Sequence, residues 1–274
     1  HDYYPDVVFH AAAHKHVPLM EQNPTEAIEN NTIASANLAT LAEKVGVSTF
    51  VLISTDKAVA PSNFMGLSKR LAELLVSEIA RQGQTRFLSV RFGNVLGSRG
   101  SVVPIFQSQI SKGGPVTVTD PTMTRYFMTT PEATRLVVQS LAVGRSGQIL
   151  VLDMGNPMKI YDLAEQLIRL EGYVPGRDIK IEITGIRPGE KLHESLYDQN
   201  ETLTETPHPK IFNLLQQINQ PLSPQQVILA TQDALIASTD QEIWKSLSHI
   251  LRSFHSGANI NQYSKQCDRN EPKY

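Results

Sequence analysis

Residues 49–54, Thr-Phe-Val-Leu-Ile-Ser, form a short run of β-branched and aromatic side chains that predicts a strand buried in a parallel sheet. Residues 7–12 and 87–92 are runs of the same kind, and apolar residues recur at helical spacing over residues 25–44 and 64–81. Strands that alternate with helices through short connections build parallel β-α units. The first part of the chain therefore predicts an α/β fold with a doubly wound parallel sheet.

Beyond the third predicted strand, the alternation of strands and helices becomes irregular, and glycine, proline and threonine are frequent. Further strands are predicted at residues 116–118, 148–152 and 179–183, and further helices at residues 131–143 and 160–170. Such a mixed region is typical of a small α/β lobe at the carboxyl edge of the sheet, where open α/β sheets bind ligands. We expect this lobe to bind the substrate.

The end of the chain predicts two helices and a tail. Ser223 followed by Pro224 is a combination favoured at a helix start, and Asp240 is predicted to cap the second helix. The stretch from Ser256 onward predicts disorder. We divide the chain into the C-terminal part of an incomplete dinucleotide-binding, Rossmann-type domain with the catalytic residues (1–95), mainly a substrate-binding lobe with returning elements of that domain (96–212), and appended helices with the tail (213–274).

Composition excludes several classes of protein. The formal net charge of −2 gives no broad attraction to nucleic acid or to an anionic membrane, so nucleic acid is not expected as a partner. The only cysteine is Cys267, which excludes a disulfide within the chain and a thiolate metal site. No apolar run approaches the roughly 18 residues that a membrane helix needs. We expect a cytoplasmic protein, at the inner face of the membrane if the full-length protein carries an N-terminal anchor.

The chemistry-bearing residues cluster around the second predicted strand. Thr55, Asp56 and Lys57 follow its end, and Met65 and Lys69 lie four residues apart on the next predicted helix, so these two share a face. Strand-end residues and one helix face converge above the sheet. A carboxyl group beside an amine in a desolvated cleft can exchange protons and serve paired acid and base steps. The alternative is a solvated Asp-Lys pair in a loop and a surface lysine.

Five blocks of sequence carry a resemblance to a known family. They are residues 11–18 (AAAHKHVP), 53–70 (ISTDKAVAPSNFMGLSKR), 91–98 (RFGNVLGS), 123–128 (MTRYFM) and 187–194 (RPGEKLHE). In this order they resemble the CapD-like polysaccharide-biosynthesis family, which consists of extended short-chain dehydrogenase/reductases that act as UDP-N-acetylglucosamine 4,6-dehydratases. The resemblance covers residues 5–212.

The resemblance implies catalytic roles for residues of the second block. Thr55 and Lys69 match the Ser/Thr and the Lys of the family's redox site, and Lys69 would hold the nicotinamide ribose. Met65 stands where many members have a tyrosine, as it does in long membrane-anchored members, so the group that takes the C4 hydroxyl proton is left open. By the same resemblance, Lys57 is the base at sugar C5 and Asp56 is the acid that helps the C6 hydroxyl to leave.

The other blocks imply binding roles. Residues implied to contact the cofactor are Ala11, Ala12, Ala13, Asn31, Lys69 and Gly93. Residues implied to contact the sugar nucleotide are Asn94, Arg125, Arg187 and Glu190, with Arg187 as a clamp on the diphosphate, which suits the planar guanidinium. Without the resemblance, residues 93–94 are a Gly-Asn turn and Arg125 is an exposed arginine. His10, His14 and His16 lack a nearby carboxylate or cysteine to complete a ligand set, so no metal is expected.

The sequence thus predicts a nucleotide-sugar 4,6-dehydratase of surface-polysaccharide biosynthesis that uses NAD or NADP and a UDP-sugar. A homo-oligomer is left open. One alternative is a nucleotide-sugar epimerase or a C5-inverting dehydratase, but epimerases usually need only the redox groups, so the Asp56-Lys57 pair favours dehydration. Another alternative, favoured by Met65 and by an N-terminal truncation of the chain, is a non-catalytic sugar-nucleotide-binding or assembly protein.

The chain starts without Met and runs at once into a predicted strand, and no glycine-rich phosphate-binding loop precedes that strand. We interpret this as an N-terminal truncation of the cofactor domain. We expect the 274-residue chain by itself to bind NAD+ and NADP+ poorly or not at all and to lack dehydratase activity. Isothermal titration with each dinucleotide measures this, and micromolar affinity for the isolated chain would contradict it.

Overall fold

The computed structural model describes residues 3–98, 100–215, 222–254 and residue 260. Its strands are β1 (Val7–His10), β2 (Thr49–Ile53), β3 (Arg86–Arg91), β4 (Asn94–Val95), β5 (Val116–Val118), β6 (Thr124–Arg125), β7 (Phe127–Met128), β8 (Gln148–Leu152), β9 (Met158–Lys159), β10 (Ile181–Ile183), β11 (Thr202–Glu205) and β12 (Ile211–Leu215). Its α-helices are α1 (Val17–Gln22), α2 (Pro24–Ile28), α3 (Ala34–Val45), α4 (Phe64–Ala80), α5 (Val102–Ser111), α6 (Thr130–Val143), α7 (Ile160–Leu170), α8 (Pro224–Ala234) and α9 (Asp240–Phe254). Each strand and helix that the sequence predicted is present, with ends that differ by a few residues.

The main sheet has the strand order β1-β2-β3-β8-β12-β11. Strands β1, β2, β3 and β8 are parallel neighbours, which confirms the predicted doubly wound sheet. Strands β12 and β11 follow at one edge and run antiparallel. These two strands were not predicted, although β12, Ile-Phe-Asn-Leu-Leu, is an apolar run and only β11, Thr-Leu-Thr-Glu, is largely polar. The predicted boundary after residue 212 falls inside β12.

The predicted helix over residues 25–44 is interrupted. A π-helical turn, Glu29–Ile33, separates α2 from α3, and such turns frequently occur at functional sites. The helix end is as predicted, because Gly46 takes the left-handed conformation with φ +78°. The turn places Asn31 and Thr32 in the interior of the protein.

Helix α4 is buried on both sides. Ala72 and Val76 pack against the sheet in one apolar cluster, whereas Phe64 and Leu71 belong to a second cluster shared with α8 and α9. Phe64 meets Trp244 of α9 edge to face, with ring centroids 5.3 Å apart. Burial of a large apolar side chain contributes about 1.5–3 kcal/mol, so the two C-terminal helices stabilise the helix that carries Met65 and Lys69.

The start of α9, the second C-terminal helix, differs from the prediction by one residue. The Thr239 hydroxyl accepts a hydrogen bond from the Glu242 amide at 3.3 Å, so Thr239, and not the predicted Asp240, is the capping residue. Asp240 is the first helical residue, where a carboxylate suits the positive end of the helix dipole. Among the described residues, no helix has the length and hydropathy required to cross a membrane. The predicted disordered tail lies outside the described residues, apart from Ile260.

The smaller lobe has its own core. Strand β5 pairs in parallel with β10, and α5 and α7 pack around them. The buried residues of this cluster include Phe106, Val116, Val118, Ile160 and Ile168. Short pairings of β4 with β7 and of β6 with β9 link the lobe to the carboxyl edge of the sheet. This is the small mixed α/β lobe that the sequence predicted.

Candidate active site

The carboxyl ends of β2 and β3 bring two motifs of the sequence together. The Asp56 amide donates to the Phe92 carbonyl at 3.1 Å, which sets residues 55–57 beside Gly93 and Asn94. Thr55 is extended and caps the short 3-10 turn Asp56–Ala58, and its hydroxyl accepts from the Lys57 amide. Backbone hydrogen bonds therefore fix the direction in which Asp56 and Lys57 leave the sheet.

Asp56 and Lys57 form an ion pair inside the protein. Lys57 Nζ lies 2.9 Å from Asp56 Oδ1, and the Asp56 side chain is fully buried while that of Lys57 is 17% exposed. Thr55 donates its hydroxyl to the same carboxylate oxygen at 2.8 Å, and Lys57 also donates to Asn94 Oδ1 at 3.2 Å. The solvated pair that the sequence left as an alternative is therefore not what the structure has.

The second oxygen of Asp56 has no hydrogen-bond partner among the described residues although it is buried. Gly93 lies directly beside it, since a Cβ at this position would be 3.3 Å from Asp56 Oδ2 and 3.0 Å from Tyr126 Cβ. Buried carboxylate oxygens are normally hydrogen-bonded, and a catalytic role is one of the explanations for an exception. A side chain at this position would crowd Asp56 Oδ2 and Tyr126, so glycine lets the strand end pass close to the carboxylate.

Helix α4 supplies the residues of the second block. Asn63 caps the helix by accepting from the Gly66 amide at 2.8 Å, and a side chain at Gly66 would collide with the Lys57 carbonyl. Met65 and Lys69 are both buried, and Met65 packs in the apolar cluster beneath α8 and α9. Met65 has no exchangeable proton. Thr55 is therefore the one hydroxyl-bearing side chain among the five residues with predicted catalytic roles, which are Thr55, Asp56, Lys57, Met65 and Lys69.

Lys69 is an amine in a poorly solvated position. Burial lowers the pKa of Lys69 to about 8, and Glu73 opposes this only in part. Its ammonium makes no hydrogen bond with the residues that the structure describes. The charge of Lys69 adds to burial in lowering the pKa of His10 at the end of β1, so Lys69 lies on the side of the site that faces residues 11–13.

The predicted cofactor residues differ in accessibility. Ala11, Ala12 and Ala13 are exposed at the carboxyl end of β1. Asn31 is fully buried, where its amide donates to the His14 carbonyl at 2.9 Å and to Ser68 Oγ at 3.0 Å, while its oxygen accepts from the His14 amide at 2.7 Å. Asn31 therefore fixes the backbone of the segment after β1 by bonding both the amide and the carbonyl of His14.

The predicted substrate residues differ in burial. Arg187 is exposed, and its guanidinium makes no hydrogen bond or ion pair with the described residues, whereas its amide donates to Glu190 Oε2 at 3.3 Å. The Gly189 carbonyl of the same loop accepts from Asn63 at 2.8 Å, which holds the loop over the start of α4. Arg125 is buried, and its guanidinium donates to the carbonyls of Thr124, Lys191 and Leu192.

Glu194 was not among the residues to which the sequence pointed. It is 7% exposed, and its Oε2 has no hydrogen-bond partner among the described residues. Burial raises the pKa of Glu194, the charge of Asp56 raises it further, and the charge of Lys57 opposes both. The signal that could have found it is a second carboxylate four residues after Glu190, at the end of the fifth block.

The charges around Lys57 favour its ammonium form. Burial alone would lower the pKa of Lys57, but the charges of Asp56 and Glu194 outweigh burial and the pKa is raised. Hydrogen bonds therefore join Thr55, Asp56, Lys57 and Asn94 in one cluster at the carboxyl end of the sheet.

Comparison with known proteins shows to which proteins the chain is similar. The sequence model described as polysaccharide biosynthesis protein matches residues 1–216. The chain is 60% identical over 209 residues to the probable polysaccharide biosynthesis protein EpsC of Bacillus subtilis, covering 76% of the chain and 35% of that protein. It is 57% identical over 212 residues to the capsular polysaccharide biosynthesis protein CapD of Staphylococcus aureus, covering 77% and 35%. The chain thus spans about a third of the length of these relatives.

Other similarities are more distant. The chain is 40% identical over 199 residues to a UDP-glucose 4-epimerase of Rickettsia akari, covering 72% of the chain and 57% of that enzyme. The X-ray structure of Pen from Bacillus thuringiensis superposes with a TM-score of 0.70 at 31% identity, covering 85% of the chain and 77% of Pen. The fold, the order of the sequence blocks and these identities agree, and the chain belongs to the polysaccharide biosynthesis protein family.

Proposed function

We propose that the protein is a nucleotide-sugar 4,6-dehydratase of surface-polysaccharide biosynthesis, which converts UDP-N-acetylglucosamine into a 4-keto-6-deoxy sugar nucleotide with NAD or NADP. One observation carries the proposal, namely the 2.9 Å contact between Lys57 and the buried Asp56 at the carboxyl end of the sheet. A redox site alone needs no such acid-base pair, but the loss of water between two adjacent carbons does.

The residues near β1 fit a nicotinamide group. Ala11, Ala12 and Ala13 are small and exposed. The Lys69 ammonium can donate hydrogen bonds to a ligand, because it donates none to the described residues. When bound, the nicotinamide would take a hydride from sugar C4 and later return it to C6. Lys69 would hold the ribose and place positive charge beside this redox centre. We assign the diphosphate to Arg187, because its guanidinium is exposed and matches phosphate oxygens.

The acid-base pair would work as a proton relay. A ketone at C4 acidifies the C5 hydrogen, and Lys57 in its amine form takes this proton while the electron pair stays on the sugar. The proton crosses the 2.9 Å contact to Asp56, which gives it to the C6 hydroxyl as water leaves. C5 would then regain a proton from solvent through Lys57, while the C4 hydroxyl proton would leave to solvent, so the protons balance and both side chains end in their starting states.

The second candidate function is epimerisation, which the 40% identity to a UDP-glucose 4-epimerase favours. An epimerase inverts C4 through the same ketone but breaks no C–O bond. It would therefore leave the Asp56-Lys57 relay without a task. A C5-inverting dehydratase would use the relay and differ only in the face on which C5 regains its proton.

Products formed in D2O decide between these reactions. We expect the protein, produced as its gene encodes it, to convert UDP-N-acetylglucosamine into a product that has lost one water and carries deuterium at C5, because Lys57 exchanges its proton with solvent. Mass spectrometry and proton NMR measure both features, and NMR also gives the C5 configuration. A product of unchanged composition with inverted C4 and no deuterium at C5 would contradict the proposal and show an epimerase.

A further inference from the structure

The segment between the Asp56–Ala58 turn and α4 contains a strained residue. Ala60 has φ +38°, which lies in the left-handed region that residues with a Cβ rarely adopt. It precedes Pro61, whose ring restricts the backbone of the residue before it still further. A conformation of this kind is unfavourable by itself and persists only where surrounding contacts hold it. Strained residues also cluster at functional sites, and Ala60 lies directly behind the turn that carries Asp56 and Lys57.

The loop between β10 and β11 holds the backbone on both sides of Ala60. On one side, Lys191 Nζ donates to the Val59 carbonyl at 2.8 Å. On the other side, Asn63 Nδ2 donates to the Gly189 carbonyl at 2.8 Å. The bonded residues are 132 and 126 positions apart in the sequence. The strained segment is therefore held by tertiary contacts with a distant part of the chain.

The Lys191 bond acts on the peptide unit that sets the conformation of Ala60. The Val59 carbonyl belongs to the planar peptide unit that links Val59 to Ala60, and the φ of Ala60 describes how this plane is turned. The Val59 amide, on the other side of the same residue, donates to the Asp56 carbonyl at 3.0 Å and closes the turn. Lys191 therefore fixes one end of Val59 while the turn fixes the other.

The surroundings of Lys191 favour this bond. Its side chain is 18% exposed, so water competes little for the ammonium, and the Glu194 carboxylate lies 3.9 Å from Nζ and balances the charge. Among the described residues, the Val59 carbonyl is the one acceptor within hydrogen-bond distance of Nζ. A hydrogen bond from an ammonium group is roughly twice as strong as one between neutral groups. The contact can therefore offset strain in the backbone.

We propose that Lys191 is a positioning residue whose ammonium holds the Val59–Ala60 peptide unit in its strained orientation and so keeps the Asp56–Ala58 turn in place. The inference rests on the proposed function for the catalytic roles of the residues in this turn. Lys191 acts through the Val59 carbonyl and needs no contact with the sugar. When the bond is lost, Ala60 relaxes toward negative φ, and the turn loses the fixed direction in which its side chains leave the sheet.

Hydrogen exchange in the protein as encoded tests this contact without reference to any reaction. The amides of Ala58 and Val59 are bonded within the turn, so their exchange reports its opening. In Lys191→Met, which keeps the side-chain length but cannot donate, we expect these amides to exchange about tenfold faster, because a charge-assisted hydrogen bond is lost. Mass spectrometry of peptides that cover residues 55–63 measures the change. Unchanged exchange in Lys191→Met would overturn the inference.

Two variants act as controls. Lys191→Arg retains a donor and should keep the exchange over residues 55–63 within about twofold of the parent rate. An arginine variant that exchanges as fast as Lys191→Met would contradict a role for the donated hydrogen bond. Lys112→Met removes an exposed lysine that follows α5 and should leave exchange over residues 55–63 unchanged.

Ala60→Gly tests whether backbone strain is what Lys191 opposes. Glycine adopts positive φ without a steric cost, so Lys191→Met should change the exchange rate by only about twofold when both proteins carry Ala60→Gly. An equal effect of Lys191→Met with and without Ala60→Gly would contradict the inference. If Lys191→Met alone does not fold by circular dichroism, the double variant decides, because a folded double variant supports the release of strain and an unfolded one contradicts it.

Steady-state kinetics separate this inference from the proposed function. Lys191→Met should lower kcat for loss of water from UDP-N-acetylglucosamine by about tenfold or more with KM within about twofold, because Asn63 still holds the loop of Arg187 through Gly189. Faster hydrogen exchange with an unchanged kcat would contradict the positioning role. If hydrogen exchange responds as expected but the parent forms no dehydrated product, Lys191 still holds the turn and the dehydratase proposal fails.

Discussion

Replacement of Lys57 by alanine or by arginine is expected to reduce C5 deuterium exchange and product formation by about 10²- to 10⁴-fold in the protein as encoded. Alanine removes the amine altogether. Arginine keeps a cation beside Asp56 but does not lose its proton near neutral pH, so it cannot accept the C5 hydrogen. The expected equality of the two variants reflects the geometry of a single amine that bridges Asp56 Oδ1 and Asn94 Oδ1. Rates by NMR in D2O measure the effect.

The matched control is Lys180→Ala, which removes an exposed lysine and should retain the parent rate. An arginine variant that works at the parent rate would show that residue 57 acts only by its charge. Asp56→Asn should also lose water elimination, because the amide cannot pass a proton to the C6 hydroxyl. Unaltered turnover in Asp56→Asn would exclude the role of acid that we assign to Asp56.

Glu73→Gln is expected to lower the free energy of unfolding of the 274-residue chain by about 3–5 kcal/mol. Glu73 is fully buried on α4 and accepts hydrogen bonds from Ser54, from Arg91 at 3.1 and 2.8 Å and from Arg70 at 3.0 Å. Glutamine keeps the shape but leaves Glu201 as the one carboxylate, among the residues that the structure describes, that is paired with the buried Arg91. Urea unfolding followed by circular dichroism measures the change.

The control is Glu165→Gln, which breaks an exposed ion pair with Arg169 on α7 and should lower the free energy of unfolding far less.

The effect of Glu73→Gln should also depend on pH. Burial alone would raise the pKa of Glu73, but Arg91 and Arg70 hold it below its usual value, and the same arginines lower the pKa of Glu201 from 4.5 to about 2. Groups with lowered pKa contribute stability above pH 4.5 and lose it as the pH falls toward 2. The difference in free energy of unfolding between the parent and Glu73→Gln should therefore become smaller between pH 4.5 and pH 2. A difference that stayed constant over this range would contradict the ion-pair explanation.

The ion-pair network has a consequence for the site. Arg91 is the last residue of β3, two residues before Gly93, and Ser54 follows the last residue of β2 and precedes Thr55. Glu73 bonds both Arg91 and Ser54 from α4. The network therefore ties together the two strand ends and the helix that supply the candidate active site.

The sequence by itself determined the elements whose signals are local. Apolar runs and helical spacing predicted β2, β3 and α4, and the left-handed Gly46 was visible as a helix end. The position of Asp56 and Lys57 at a strand end also followed from the sequence, because parallel strands carry their ligand sites at their carboxyl ends. The π turn at residues 29–33 was not predicted, because it is defined by backbone hydrogen bonds from residue i+5 to residue i, which the order of side chains does not display.

Only the tertiary structure decided which distant segments meet. Arg125 and Thr124 of β6 bond the carbonyls of Lys191 and Leu192, which lie more than 60 residues further along the chain, and so hold the segment before Glu194 against β6. Strands β12 and β11 join the sheet as an antiparallel edge, and the apolar run of β12 does not by itself indicate which strand it pairs with or in which direction. The physical reason is that spacing of apolar residues encodes the local element and its buried face, whereas the partner of that face depends on how the whole chain packs.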